Sequence, residues 1–178
     1  KNLRYRIEHA QIIKPEDIKQ FKELGVIASM QPTHCTTDLR FCEQRIGLER
    51  SKYAYAWRSL LESGARLAFG SDWPVEPLDP RRGLYSAVTR KNIEHDFPEG
   101  GWFPEQKLTL AEAIECFTSG SAYASFEENL KGTLEPGKLA DLTVFGLDIF
   151  SLEPKAILTA PVIYTIVGGK IVYQAENN

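Results

Sequence analysis

The sequence predicts an α/β fold built on parallel strands, because short apolar runs alternate with helical patterns. The predicted elements follow one another as strand 3–8, helix 15–25, strand 26–32, helix 53–64 and strand 65–71. A glycine ends each helix, at Gly25 and Gly64, as is common just past the last helical turn. Strands joined by helices over short connections pair in parallel through right-handed crossovers. We therefore expect the three strands to lie side by side.

The first helix has a clear start in the sequence. Pro15 suits the first helical position because its fixed φ is already helical, and Glu16 and Asp17 lie near the positive end of the helix dipole. Ile18 and Phe21 then recur at helical spacing, which predicts an apolar face.

The second helix presents Trp57, Leu60 and Leu61 on one face. Between residues 72 and 108 the pattern loosens, since prolines and glycines interrupt it and only residues 82–90 resemble a helix. Long loops at the rim of a sheet are usually functional or mobile. We therefore predict a lid or a substrate-facing segment here.

A capping box opens the next predicted helix. Thr109 suits the N-cap and Glu112 follows three residues later, so each can bond the other's backbone N–H. The helix runs on through Phe117, and a further helical piece is predicted at 121–128.

After Gly132 the composition changes to that of antiparallel β-structure. The β-like runs cover residues 132–145 and 162–173. Gly168 and Gly169 stand between two apolar runs, which is a hairpin signal.

Composition and charge exclude several classes of partner. The chain has 178 residues, 43% of them hydrophobic, and a formal net charge of −3 at pH 7, with basic residues scattered rather than clustered. This argues against nucleic acid, and no apolar run is long enough to span a bilayer. Three cysteines without a CxxC spacing favour a reducing, cytoplasmic compartment, with Cys116 as a buried helix residue. The chain starts without methionine, leader or capping element, so we expect a piece of a longer protein.

Asp72 is a candidate site residue because it follows an apolar strand that breaks at Gly70. In α/β proteins the carboxyl ends of parallel strands are where reactive groups converge. The competing interpretation is an Asx-turn acid that starts the next loop. The first strand runs into His9, whose plainer interpretation is a core or turn histidine. An imidazole and a carboxylate at one rim are what a hydrolytic metal site requires.

Three stretches together resemble the amidohydrolase superfamily, whose members are metal-dependent hydrolases on a TIM barrel with a small attached β-domain. They are Arg6–Gln11 (RIEHAQ), Gly70–Val75 (GSDWPV) and Gly132–Leu142 (GTLEPGKLADL). In order and spacing they are similar to the branch that includes N-substituted formamide deformylase. The resemblance covers nearly the whole chain.

The resemblance implies the C-terminal part of a TIM (β/α)8 barrel, namely its last three βα units, plus strands of a small β-sandwich domain. Residues 1–131 would be the partial catalytic barrel with strands six to eight, and residues 132–178 the C-terminal segment of the β-domain. A complete barrel takes about 250 residues. The family's His-x-His pair of the first strand, its bridging residue on the fourth and its histidine on the fifth have no counterpart here.

The same resemblance implies roles for single residues. His9 matches the metal-ligand histidine at the end of strand six, and Asp72 the aspartate of strand eight, which also carries a proton from water to the leaving nitrogen. The implied cofactor is a divalent metal, with zinc the first choice. His34 is a candidate substrate contact, or else a solvent-exposed loop histidine. Trp73 is a candidate wall of an apolar substrate pocket, or else simple packing.

The implied function is hydrolysis of a non-peptide C–N bond, in an amide or formamide-like small molecule, by metal-activated water. With only His9 and Asp72 of the ligand set, the isolated chain is expected to be inactive, because a zinc site takes three or four protein groups. One alternative is a truncated, inactive chain that acts only in folding or association, and another is an unrelated α/β ligand-binding domain. The open edge of the first strand predicts self-association, or pairing with the missing N-terminal part of the same protein.

Overall fold

The computed structural model describes residues 3–176 and shows a mixed α/β fold. The strands are β1 (Arg6–Glu8), β2 (Ile27–Met30), β3 (Arg66–Phe69), β4 (Leu142–Phe145), β5 (Val162–Val167) and β6 (Lys170–Gln174). The α-helices are α1 (Ile18–Glu23), α2 (Pro32–Asp38), α3 (Cys42–Ile46), α4 (Leu48–Ser51), α5 (Trp57–Glu62), α6 (Pro80–Thr89), α7 (Leu110–Glu115), α8 (Ser121–Ala124) and α9 (Pro154–Ile157). Turns of 3₁₀ helix lie at Pro15–Asp17, Pro104–Gln106 and Ile149–Ser151, and a π-helical segment lies at Cys116–Gly120.

The predicted parallel sheet is confirmed. Strands β1, β2 and β3 lie side by side in chain order, and Ala28 of β2 pairs with Ile7 on one side and Leu67 on the other. Strand β2 is central and mostly buried, whereas the three residues of β1 are exposed. Within residues 3–176, β1 is therefore an open edge of this sheet.

Between the second and third strands the sequence predicted too little helix. The stretch before the predicted helix 53–64, for which no element was predicted, contains α2, α3 and α4. Each is short, so none repeats its apolar face often enough to give a helical period. The predicted helix 53–64 is shorter in the structure, where it is α5. It cannot begin earlier because Tyr55 has a left-handed backbone, with φ at 51°.

Only part of the predicted lid segment is exposed to solvent. Trp102 is buried, and its indole Nε1 donates a hydrogen bond to Glu43 Oε1 at 2.8 Å. Arg90 is also buried, so parts of this segment belong to the core. Trp73, Val75 and Leu78 stay exposed beside the carboxyl end of β3.

The capping box of α7 is confirmed. The Thr109 hydroxyl accepts from the Glu112 N–H at 3.3 Å, and Glu112 Oε2 accepts from the Thr109 N–H at 2.7 Å. Arg58 donates to both Glu112 carboxylate oxygens, at 2.7 and 2.6 Å. These bonds lower the pKa of Glu112 to about 2, despite the opposing effect of burial.

The C-terminal residues form the predicted antiparallel sheet, in the order β4, β5, β6. Gly168 and Gly169 make the predicted hairpin turn, both with positive φ. Residues 132–141, predicted as part of the first run, precede β4 without forming a strand. Helix α9, which the sequence did not reveal, buries Ile157 in the main core. None of the helices in residues 3–176 combines the length and the apolar character needed to cross a bilayer.

Candidate metal site

The sheet itself fixes the backbone at the carboxyl edge. The His9 N–H donates to Ser29 O at 2.7 Å, and the Gly70 N–H donates to Met30 O at 3.2 Å. These bonds continue the pairing just beyond β1 and β3. His9 and Asp72 therefore project from chain segments that leave the sheet at defined points.

Three side chains converge at this edge. His9, His34 and Asp72 each offer one ligand atom, and the three atoms lie within 4.8 Å of one another. His34 Nε2 is 3.8 Å from Asp72 Oδ2, and the two imidazole ring centroids are 5.7 Å apart. His9 and Asp72 are exposed while His34 is partly buried, so the cluster is open to small molecules on one side.

Two of these residues have an uncommon backbone conformation. His9 has φ of 68° and Asp72 has φ of 59°. The left-handed region costs an L-residue about 1–2 kcal/mol. Non-glycine residues in this region are concentrated at active sites and ligand clamps, where the surrounding structure holds them in place.

The Asx-turn interpretation of Asp72 is not supported. An Asx turn needs the N–H of the residue two positions on, and that residue is Pro74, which has none. Asp79 and Asp148 do accept such a bond, from the N–H groups two positions on, at 3.0 Å each. In residues 3–176, the nearest ionisable side chain to the Asp72 carboxylate is that of His34, whose Nε2 lies 3.8 Å from Asp72 Oδ2.

Gln31 orients His9. Its Oε1 lies 2.9 Å from His9 Nδ1, and the residue, at the end of β2, is only 6% exposed. An amide oxygen accepts, so Nδ1 carries the proton and Nε2 keeps its lone pair for a ligand. Gln31 was not predicted as a site residue, although a polar residue at the end of an apolar strand is a signal that could have indicated it.

Hydrogen bonds to Tyr55 and Asp38 also hold the loop after β1 in place. The Tyr55 hydroxyl donates to Asp38 Oδ2 at 2.6 Å, and Gln11 Nε2 donates to the same oxygen. The Tyr55 N–H also donates to Gln11 O at 2.8 Å. Burial and the neighbouring Asp38 carboxylate raise the pKa of Tyr55, so the phenol remains a donor.

Trp73, the other predicted substrate contact, follows Asp72 directly and is 62% exposed. Its role as a substrate contact stays a prediction. His95 lies in an exposed loop away from the cluster.

The donor set fits a divalent metal. Two imidazoles and one carboxylate form a known ligand set of catalytic zinc sites, which leave a further position open. Donor atoms around tetrahedral zinc are about 3.4 Å apart when each bond is about 2.1 Å. The 3.8 Å between His34 Nε2 and Asp72 Oδ2 is close to that value. These nitrogen and oxygen donors therefore suit a divalent metal.

A parallel sheet with such a cluster at its carboxyl edge is typical of metal-dependent hydrolases on α/β folds. A family model described as "Amidohydrolase family" matches residues 1–173. The chain belongs to this family, which confirms the resemblance found in its sequence.

Individual relatives agree. The protein LONG AFTER FAR-RED 3 of Arabidopsis thaliana is 36% identical over 171 residues, which are 96% of this chain and 29% of that protein. The N-substituted formamide deformylase of Arthrobacter pascens is 29% identical over 117 residues, 66% of this chain and 21% of the enzyme. A solved structure, an uncharacterized metal-dependent hydrolase from Pyrococcus horikoshii OT3, is similar with a TM-score of 0.75 and 30% identity, over 86% of this chain and 31% of that one. The chain thus spans about three tenths of the length of the first of these relatives.

Proposed function

We propose that this chain supplies metal-binding and proton-transferring residues of a hydrolase that cleaves a non-peptide C–N bond in an amide or formamide-like small molecule. The observation that carries the proposal is the convergence of His9, His34 and Asp72 at the carboxyl edge of the sheet. The substrate class is supported by the relative that is a formamide deformylase.

The residues take distinct roles in this proposal. His9 and Asp72 hold the metal, and Gln31 keeps the His9 ring in the required tautomer. A divalent metal, when bound, acidifies water and polarises a carbonyl. Asp72 accepts the proton that the attacking water loses and passes it to the leaving nitrogen. Trp73 stands next to Asp72 as a wall for the apolar part of the substrate.

In this proposal these residues belong to a larger enzyme. We propose that residues 1–131 are the last three βα units of a TIM barrel and that residues 132–178 are a segment of a small β-sandwich domain. The parallel order of β1, β2 and β3 and the antiparallel sheet after them support this division. The three cysteines are buried and unpaired, which suits a reducing cytoplasm.

The function is tested by comparing residues 1–178 with the polypeptide translated from the whole reading frame that encodes them. We expect the whole product, with added zinc, to hydrolyse members of a panel of N-acyl and N-formyl compounds and to lose this activity with a chelator. Residues 1–178 alone should show no turnover, because they lack the other βα units of the proposed barrel. A whole product that neither binds metal nor turns over any compound would contradict the proposal.

We further propose that a strand and a helix cover the edge of β1 in the working protein. Both would come from the portion of the relatives' sequences that this chain does not match. The exposed apolar residues Tyr5 and Ile7 lie on or next to this edge. Beside them a groove of about 470 Å³ is lined by Ile12, Phe21 and Leu24. Open parallel edges with apolar neighbours recruit partners.

In the isolated chain the same surface should drive self-association. We expect the sedimentation coefficient of residues 1–178 to rise with concentration, and Ile7→Lys to suppress the rise by placing a charge at the edge. Leu48→Lys, at an equally exposed site on α4, is the matched control and should leave association unchanged. A wild-type chain that stays monomeric over a wide concentration range would refute this proposal.

A further inference from the structure

His34 has a buried nitrogen with no hydrogen-bond partner. Within residues 3–176, its Nε2 is inaccessible to solvent and accepts or donates no hydrogen bond. The nearest acidic group, Asp72 Oδ2 at 3.8 Å, is too far for a hydrogen bond. Native proteins satisfy nearly all such groups, so an unpaired one calls for a ligand, ion or water.

The position of His34 is rigid. It lies in the first turn of α2, which starts at Pro32, and its side chain is 14% exposed. Helix α2 is fixed against α6 by the pair of Thr36 and Ser86 hydroxyls, 3.1 Å apart. Such a fixed position suits a metal ligand, which must be held at a defined distance from its partners.

The free nitrogen of His34 lies close to the other two candidate ligands. Among the described residues, His34 offers the cluster a third donor beside His9 and Asp72. The two imidazoles lie close together, with ring centroids 5.7 Å apart, and no hydrogen bond joins the imidazole of His34 to the carboxylate of Asp72. A cation between the three donor atoms would satisfy all of them together.

We propose that His34 is a third protein ligand of the metal, and not the substrate contact that its sequence position suggests. This inference rests on the proposed metal site. With His34 as a ligand, residues 1–178 offer three donors to zinc. Three donors suffice to hold the metal, whereas two do not.

The test measures metal binding by the purified chain, without reference to activity. After chelator treatment, residues 1–178 are titrated with Zn²⁺ against a chromophoric chelator, and with Co²⁺ for its visible spectrum. We expect His34→Ala to weaken binding by at least 10–100-fold, the loss typical even of residues that only support a ligand. His9→Ala and Asp72→Ala should do the same, and His95→Ala, the remaining histidine, should bind as wild type does.

The possible outcomes separate this inference from the proposed function. If wild-type chain binds no metal, the metal site itself is wrong for this chain. If His9→Ala and Asp72→Ala weaken binding while His34→Ala does not, only the role of His34 is overturned, and a substrate contact remains. Should His34→Ala fail to fold, ¹¹³Cd bound to ¹⁵N-labelled wild type decides, because a ligand nitrogen of His34 shows coupling to cadmium and a free one does not.

Discussion

Asp72→Ala, introduced into the whole translation product, should lower kcat about 10²–10⁴-fold at saturating metal, the usual contribution of a general acid–base group. His9→Ala should instead weaken metal binding, and excess metal should recover part of its kcat. The difference arises because His9 is proposed only as a ligand, whereas Asp72 is both ligand and proton carrier. Metal content by mass spectrometry, measured beside kcat for both variants, checks the prediction.

Two further variants sharpen this comparison. Asp72→Asn keeps a ligand oxygen and the side-chain size but cannot take up the proton, so it should retain more metal than Asp72→Ala and still lose kcat. His95→Ala controls for the loss of an imidazole elsewhere. If Asp72→Ala has near-normal kcat once metal is replenished, Asp72 is not the proton carrier.

The parallel sheet could be predicted because its strands are apolar runs with polar ends, separated by predicted helices. The first of these helices begins at Pro15, and each of them ends at a glycine. The same pattern predicted that His9 and Asp72 lie at one rim, because parallel pairing puts the carboxyl ends of the strands at the same edge of the sheet. The Asx-turn alternative could have been dismissed as well, since Pro74 offers no N–H.

The position of His34 could not be predicted in this way. It depends on α2, a helix of seven residues whose first turn holds His34 near His9 and Asp72. So short a helix has no period in the sequence, and its place is set by contacts with α6, far along the chain. Gln31 shows the same limit, because its partner becomes evident only once β1 and β2 are paired.

The burial of Arg90 is the clearest example of a feature that the sequence does not predict. A charged residue at the end of a helix is expected at the surface, yet Arg90 is 0% exposed. Its guanidinium donates to Tyr55 O at 2.7 Å, to Ala54 O at 3.1 Å and to Trp102 O. It also lies 4.7 Å from the centroid of the Trp57 ring. No carboxylate in residues 3–176 forms an ion pair with it, so carbonyls and aromatic faces compensate the buried charge.

Arg90→Met should therefore lower the free energy of unfolding by about 2–4 kcal/mol, because the carbonyls of Ala54 and Trp102 lose a donor at about 1–3 kcal/mol each. Tyr55 O is spared, since it also accepts from the Trp57 N–H at 2.8 Å. Removing a buried charge offsets part of the loss. Urea unfolding at one fixed protein concentration measures the effect, with Arg50→Met on the exposed α4 as a control expected within about 0.5 kcal/mol of wild type.

The effect should reach the metal site, because Arg90 supports the segment from which Tyr55 holds Gln11, two residues beyond His9. Arg90→Lys keeps the charge but cannot present several donors in one plane, so it should be destabilised nearly as much as Arg90→Met. Zinc affinity, measured under conditions where each variant is still folded, should fall for both and not for Arg50→Met. A fully stable Arg90→Met with unchanged zinc affinity would show that Arg90 supports neither the core nor the loop that carries His9.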